Sequence, residues 1–290
     1  MTFYLGIDAG GSNCRARLID ASGTVIGEGR SGTANARIGI EALYDTLKDT
    51  ADQALTQAGL LNAEQRAQVR AGMGIAGITR PGVQEALAGL DFGFASAAYA
   101  TDAQIANLGA HGGQDGAILI IGTGSAAQLR VDGHDFTIGG YGFPISDEGS
   151  GAALGLSAMR HALRALDGRT RKTPLSAAVT ERFGHDTAQA IAWMDNATPR
   201  DYGTFAPLVM DYAEADDIIA RSIVENAAGH IERFIETIFE RGATRCTLVG
   251  GLAPRMKPWL RSRTVARLSD AMGDSLDGAL RLAGYVPRNG

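Results

Sequence analysis

The sequence predicts an α/β protein of two lobes, each a mixed sheet opened by strand hairpins and flanked by helices. Three observations carry this prediction. The chain is 290 residues long, about twice the ~150 of an average domain. Its 39 glycines gather at the ends of apolar runs, in the clusters Gly10-Gly11, Gly122/Gly124, Gly139-Gly140/Gly142, Gly149/Gly151 and Gly250-Gly251. Glycines at strand ends allow tight turns and close approach of a ligand to the main chain. Finally, a unit of strand, glycine turn with serine, strand and Asp-containing turn occurs twice. Gly11-Ser12 leads to Arg17-Leu18-Ile19-Asp20, and Gly124-Ser125 leads to Leu129-Arg130-Val131-Asp132. Repetition in the same order reads as an internal duplication.

Phe3 to Ile7 reads as a strand ending at Asp8, followed by the turn Ala9-Gly10-Gly11-Ser12. Cys14 to Ile19 returns, Asp20 to Gly23 turns, and Val25 to Gly29 adds a third strand, so two hairpins open the chain. Ile40, Leu43, Tyr44, Leu47, Ala51, Ala54 and Leu55 have helical spacing and predict a helix over Ile40 to Ala58. Arg70 to Ile78 is a strand of small residues, Val83 to Leu90 a helix, and Ser96 to Thr101 a strand running into Asp102. The pattern restarts with the strand Gly116 to Ile121, the turn Gly122-Thr123-Gly124-Ser125 and the return Ala126 to Val131. From Gly151 the chain is mostly helical, over Ala152 to Leu166, Asp186 to Met194, Phe205 to Tyr212 and Ile218 to Phe239. Thr247 to Val249 is a last short strand before Gly250-Gly251, and a helix near Ser275 to Leu282 closes the chain. No segment has the composition of a linker, which puts a hinge near Ala103 to Gly113. The expected lobes are 1–108, with the C-terminal helix of about 275–290 packing back on them, and 109–274 with a helical insertion.

Composition removes several function classes. The 27 basic and 32 acidic residues give a net charge of −5, without the basic stripe of a nucleic-acid binder. No apolar run reaches the ~18 residues of a membrane span, and the N-terminus lacks the charged and apolar regions of a signal peptide. The expected setting is cytoplasmic, with no nucleic-acid or membrane partner. Cys14 and Cys246 are the two cysteines, which excludes a disulfide framework, zinc ribbon or iron–sulfur motif. The lysines are Lys48, Lys172 and Lys257, none within a glycine loop, so a P-loop is absent.

Four places bear chemistry. Asp8, at a strand end before Gly10-Gly11-Ser12-Asn13, has the setting of a carboxylate for a hydrated Mg²⁺, with turn N–H groups and a hydroxyl for a polyphosphate. An Asp bonding its own hairpin turn is the plain alternative. Gly122-Thr123-Gly124-Ser125 is not a dinucleotide fingerprint, because Ala127 stands where a third glycine is needed and a strand follows instead of a helix. It remains a second glycine hairpin able to grip phosphates. Asp102 is either a general base toward a hydroxyl or the N-cap of a helix starting at Ala103. Gly139 to Gly151 is too rich in glycine and polar groups for an ordinary loop; Asp147 and Glu148 precede a helix, whose dipole explains one acid only. His111, His134, His161, His185 and His230 show no metal spacing, and Arg221 to Arg241 reads as a solvated helix face.

Asp8-x-Gly-Gly-Ser, Gly122-Thr-Gly-Ser and Gly250-Gly251 stand in the order of the first phosphate, second phosphate and adenosine motifs of the actin-like ATPases. The chain resembles the N-acetylglucosamine kinase branch of the BadF/BadG ATPase group, and within it the bacterial glucosamine kinases. The shared stretches are Ser31 to Asn35, Thr101 to Ala103, Phe143 to Gly151, Pro199 to Gly203 and Asp277 to Leu280. The resemblance implies a two-lobed actin-like ATPase (ribonuclease H-like) fold, with duplicated mixed sheets and a cleft between lobes. It implies ATP-dependent phosphorylation of the 6-hydroxyl of glucosamine, with Asp102 as base and Asp8 organising Mg²⁺. Gly10, Gly11, Ser12, Asn13, Thr123 and Gly124 would meet the phosphates, and Gly250 and Gly251 the adenosine of ATP. Asn35, Thr101, Asp102, Ser125, Gly140, Tyr141, Gly142 and Asp147 would hold the amino sugar. Ala126 and Tyr141 depart from the animal N-acetylglucosamine kinases, which carry Asn and Trp there. N-acetylglucosamine is the alternative substrate. A dehydratase activator would need clustered cysteines, and a sugar sensor would show an eroded Asp102 or eroded hairpins. Dimers are common in this fold, which leaves a homodimer open.

Overall fold

A computed structural model describes residues 1–11 and 13–287. In chain order the strands are β1 (Phe3–Ala9), β2 (Cys14–Ile19), β3 (Val25–Ser31), β4 (Val69–Ile75), β5 (Ser96–Ala100), β6 (Gly116–Ile121), β7 (Ser125–Val131), β8 (His134–Gly139) and β9 (Cys246–Val249). The helices of the first half are α1 (Ile40–Gln57), α2 (Ala63–Arg66), α3 (Val83–Ala88) and α4 (Asp102–Ala110). Those that follow are α5 (Gly151–Leu166), α6 (Pro174–Glu181), α7 (Thr187–Met194), α8 (Pro199–Gly203), α9 (Ala206–Glu214) and α10 (Ile218–Glu240). Three more close the chain: α11 (Ala253–Met256), α12 (Ser262–Val265) and α13 (Ser275–Leu282). The chain divides into two compact units, 1–116 with the C-terminal segment from Asp270, and 117–269.

In the first unit the sheet order is β3-β2-β1-β4-β5. β1 runs antiparallel to β2 and parallel to β4, which is parallel to β5. Side chains alternate across a strand, so Leu5, Ile7 and Ala9 enter a core with Leu43, Leu47 and Leu55 of α1. Gly6 and Asp8 take the opposite face, where α13 lies. Backbone contact is close on both sides. A Cβ on Gly27 or Gly29 would stand 2.0 Å from the main-chain oxygens of Ala54 and Thr50 in α1. On the other face, a Cβ on Gly72 would stand 2.1 Å from Ala279 O, and one on Gly109 of α4 would stand 1.8 Å from Asp274 O.

In the second unit the order is β8-β7-β6-β9, the same chain-order arrangement as β3-β2-β1-β4. The topology therefore repeats as the paired glycine–serine turns suggested. α10 carries Ile223, Val224, Ala227, Ala228, Ile231, Ile235 and Ile238 at helical spacing, all buried in one core with β6 and α5. α8 packs on α5 so closely that a Cβ on Gly155 would lie 1.9 Å from Tyr202 O. The Pro199 to Gly203 stretch thus has a structural explanation: Pro199 opens α8, Thr198 and Asp201 form its capping box, and Tyr202 joins the ring cluster with Phe143 and Trp193.

Some expectations change. Strand β4 ends at Ile75 rather than Ile78, because Gly77 at φ +78° turns the chain. The segment expected to be a hinge is mostly the helix α4, packed against α13. β8 and α6 were not foreseen. Within the α10 face expected to be solvated, Glu232 is buried at 6% exposure. It accepts from Arg261 N at 2.7 Å and Thr264 Oγ1 at 3.1 Å, and pairs with Arg261 Nε at 3.1 Å.

Candidate active site

In the first unit, the candidate residues collect where parallel strands end. Ligands of α/β sheets bind at the carboxyl ends of the strands. Asp8 is the penultimate residue of β1, Asn35 bridges Ala76 just beyond β4, and Thr101 and Asp102 follow β5 directly. The glycine turn after β1 closes through Gly10 N to Asn13 O at 3.0 Å, and Ala34 N donates to Gly10 O at 3.1 Å. Among the described residues nothing stands within 4 Å of where a Gly11 Cβ would be, so that main chain is open. Ser12 lies outside the described residues. Asn35 spends its Oδ1 on Arg37 N at 2.8 Å, capping a short 3-10 turn.

Asp102 is not a helix cap, as one sequence reading allowed. The cap of α4 is Thr101, whose hydroxyl accepts from Gln104 N at 3.0 Å, while Gln104 returns an oxygen to Thr101 N at 2.8 Å. This capping box satisfies the helix start. Among the described residues, the bond that the Asp102 carboxylate accepts from another residue is from Ala103 N at 3.0 Å. Burial raises its carboxyl above the ordinary aspartate range, and the charge of Asp8 adds to the rise. A carboxylate pushed toward neutrality is a stronger proton acceptor when ionised.

Asp8 has company the sequence did not reveal. Arg15 Nη2 and Ser275 Oγ both donate to its Oδ2 at 2.6 Å, and Arg15 Nη2 also donates to Ser275 Oγ at 3.1 Å. Ser275 is 267 residues away in the chain, so no local pattern announces it. Arg15 is on β2, directly opposite Asp8 in the antiparallel register; hairpin pairing across Gly10-Gly11 was the one cue that pointed to it. Both partners bond the same carboxylate oxygen, so among the described residues Oδ1 makes no bond and is the atom that would meet a cation held here. Magnesium needs only one or two carboxylates beside phosphate oxygens and waters.

The second unit builds a matching arrangement. Gly122 follows β6 and Gly250 follows its parallel neighbour β9. Gly250, at φ +100°, lies against Ile121, where a Cβ would stand 2.5 Å from Ile121 O. Gly151 N donates to Gly122 O at 2.8 Å and Ala152 N to Thr123 O at 3.0 Å, joining the Gly122–Gly124 turn to the first turn of α5. Gly122 and Gly251 have open space where a Cβ would point. Ser125 is buried, with its hydroxyl on Glu148 O at 2.7 Å and its N–H on Asp147 Oδ1 at 3.3 Å. It therefore acts as a strut for the Gly139 to Gly151 loop. Asp147, held at φ +67°, sets its carboxylate within 3.1 Å of a Gly124 Cβ position. Gly140 sits over Ala126, Gly142 is open, and Tyr141 is 85% exposed.

Both cysteines are buried in strands, and burial pushes the Cys14 thiol up to about 11 and the Cys246 thiol up to about 12. Iron–sulfur ligation needs thiolates, so these side chains do not suit a cluster.

Two sheets of repeated topology, each ending in an open glycine turn, with acids placed at the strand ends of the first, define the actin-like, hexokinase-like ATPase fold. The chain belongs to the BadF/BadG/BcrA/BcrD ATPase family, which it matches over residues 5–269. It is 38% identical over 289 residues to the glucosamine kinase GspK of Vibrio cholerae, covering 100% of this chain and 98% of that one. A crystal structure described provisionally as an N-acetylglucosamine kinase from Chromobacterium violaceum superposes with a TM-score of 0.86 at 33% identity, covering 98% of this chain and 99% of the other. A ROK hexokinase from Thermus thermophilus shares the fold at a TM-score of 0.57 and 17% identity, with 98% of each chain covered.

Proposed function

We propose that the protein is an ATP-dependent hexosamine kinase that makes glucosamine 6-phosphate from glucosamine. The observation that carries the reading is Asp102: a half-buried carboxyl relieved of capping by Thr101, with its proton affinity raised, at the strand ends that also bear Asp8. Family membership supports the use of ATP, and the glucosamine kinase relative supports the substrate class.

In the proposed reaction the sugar's 6-hydroxyl oxygen bonds to the γ-phosphorus as the bond from that phosphorus to the ADP oxygen breaks. The hydroxyl proton passes to the Asp102 carboxylate. Phosphoryl transfer asks mainly for positioning and charge neutralisation. Mg²⁺, held through Asp8, supplies that neutralisation when bound. The main chain of Gly10, Gly11 and Asn13, and of Thr123 and Gly124, is assigned to phosphates, and Gly250 with Gly251 to the adenosine. Asn35 and Thr101 with Asp102, and the loop Gly140, Tyr141 and Gly142 braced by Ser125 and Asp147, are assigned to the sugar.

A second reading takes N-acetylglucosamine as substrate, favoured by the description of the Chromobacterium relative. The test is ADP release from Mg-ATP with glucosamine, N-acetylglucosamine or glucose at equal concentration. Preference for glucosamine is expected. Preference for the acetylated sugar would replace the substrate but keep the base, and no sugar-stimulated release would refute the kinase assignment.

A further inference from the structure

We propose that Ser275, on the last helix of the chain, is a positioning residue that orients Asp8 toward Mg²⁺ and so tunes the metal dependence of nucleotide binding. The proposal rests on the reading of Asp8 given above and extends it to a residue outside every phosphate motif.

Three features place Ser275 in that role. Its hydroxyl is not needed by its own helix. α13 is capped by Asp274, whose carboxylate accepts from Asp277 N at 2.9 Å, with Asp277 Oδ2 returning to Asp274 N at 2.9 Å. A serine at the first helical position next to a complete capping box is free to bond elsewhere, and it bonds Asp8 at 2.6 Å.

The position of the helix is also fixed tightly enough to aim a hydroxyl. Gly6 shares the Asp8 face of β1, and a Cβ there would stand 2.7 Å from Leu276 O. Its partner in the parallel register is Gly72, on which a Cβ would stand 2.1 Å from Ala279 O. Two glycines side by side thus bring α13 down to the main chain of the sheet. Arg17 on β2 ties the start of the helix, at 2.9 Å to Asp274 Oδ2 and 2.8 Å to Asp277 Oδ1.

Finally, Ser275 bonds both Asp8 and the arginine paired with it. Arg15 Nη2 divides itself between Asp8 Oδ2 at 2.6 Å and Ser275 Oγ at 3.1 Å. Ser275 accepts from the arginine and donates to the carboxylate, so Oδ2 keeps a donor even when Arg15 turns away. The carboxylate plane then stays set, with Oδ1 presented for the metal. Partners that orient a metal-binding carboxylate typically change metal affinity about 10–100-fold when removed.

The test compares wild type, Ser275→Ala and Ser275→Thr by calorimetric titration with ADP, with and without Mg²⁺, which needs no turnover. Mg²⁺ should tighten ADP binding in wild type. Ser275→Ala should lose about 10–100-fold in affinity for Mg-ADP, with metal-free ADP binding and the sugar KM unchanged. Ser275→Thr keeps the hydroxyl and should bind Mg-ADP like wild type. In turnover assays, Ser275→Ala should need correspondingly more Mg²⁺ for half-maximal rate. Wild-type Mg-ADP binding by Ser275→Ala would overturn the proposal, and so would a threonine variant as weak as the alanine one. A wild type indifferent to Mg²⁺ would instead overturn the reading of Asp8, and this proposal with it.

Discussion

Replacing Asp102 by Asn separates what the carboxyl does for chemistry from what it does to stability. The amide keeps an oxygen for Ala103 N, which bonds the carboxylate in the wild type, and the cap of α4 is Thr101. The helix start should therefore survive. What disappears is the proton acceptor, and a positioned general base contributes about 10²–10⁴ in rate, or roughly 3–5 kcal/mol of barrier. The kinase rate should fall by that factor, with ADP affinity nearly unchanged.

Stability should move the other way. Folding raises the carboxyl's pKa through burial and the nearby charge of Asp8. Such a group favours the folded state only while it is protonated. Its contribution is complete below the unfolded pKa and is lost as pH rises through the raised folded one. At pH 7 the ionised carboxylate is a net cost, so Asp102→Asn should melt higher than wild type there and similarly to it below about pH 3.5. The acid limb of the wild-type pH–rate profile should lie above the ordinary aspartate range and vanish in the variant's residual activity. Steady-state kinetics and thermal melts at both pH values decide the matter. A variant retaining more than about a tenth of wild-type turnover would refute the base assignment, given the contribution expected of a base. A lower melting point at pH 7 would refute the account of its burial.

Two further outcomes test the fold around the site. Gly72→Ala would place a Cβ 2.1 Å from Ala279 O and 2.7 Å from Ala283 N, main-chain atoms that cannot swing aside; overpacking of this kind should cost about 1–3 kcal/mol or more, read as a lower denaturation midpoint, and an unchanged midpoint would show that α13 is not seated as described. Cys14 and Cys246, both buried with thiol pKa values raised to about 11 and about 12, should resist thiol reagents in the native protein and react once it is denatured; rapid native labelling of either would contradict their burial.

Much of this protein was legible in its sequence. Strand hairpins, glycine turns and amphipathic helices are written in neighbouring residues, because side-chain alternation and the helical repeat operate over a few positions. The helix predicted over Ser275 to Leu282 is observed with those limits, and the repeated glycine–serine turn reappears as two sheets of matching strand order. Asp102 was legible as a residue and ambiguous as a role, since a carboxylate before a helix can cap it or stay free. Only the folded structure shows that Thr101 and Gln104 take the cap.

The remaining features are pairings between distant segments. Glu232 looked like one more charge on a solvated face until the segment around Arg261 and Thr264 folded over it. The glycines Gly6, Gly72, Gly109 and Gly155 carry no turn signature; each is required because another backbone passes within reach of a missing Cβ. Asp8 was identified by its own neighbours, but the groups that orient it come from the opposite strand and from the far end of the chain. Local chemistry places a carboxylate at the end of a strand; packing of the last helix on that strand's glycine decides which of its oxygens is bonded.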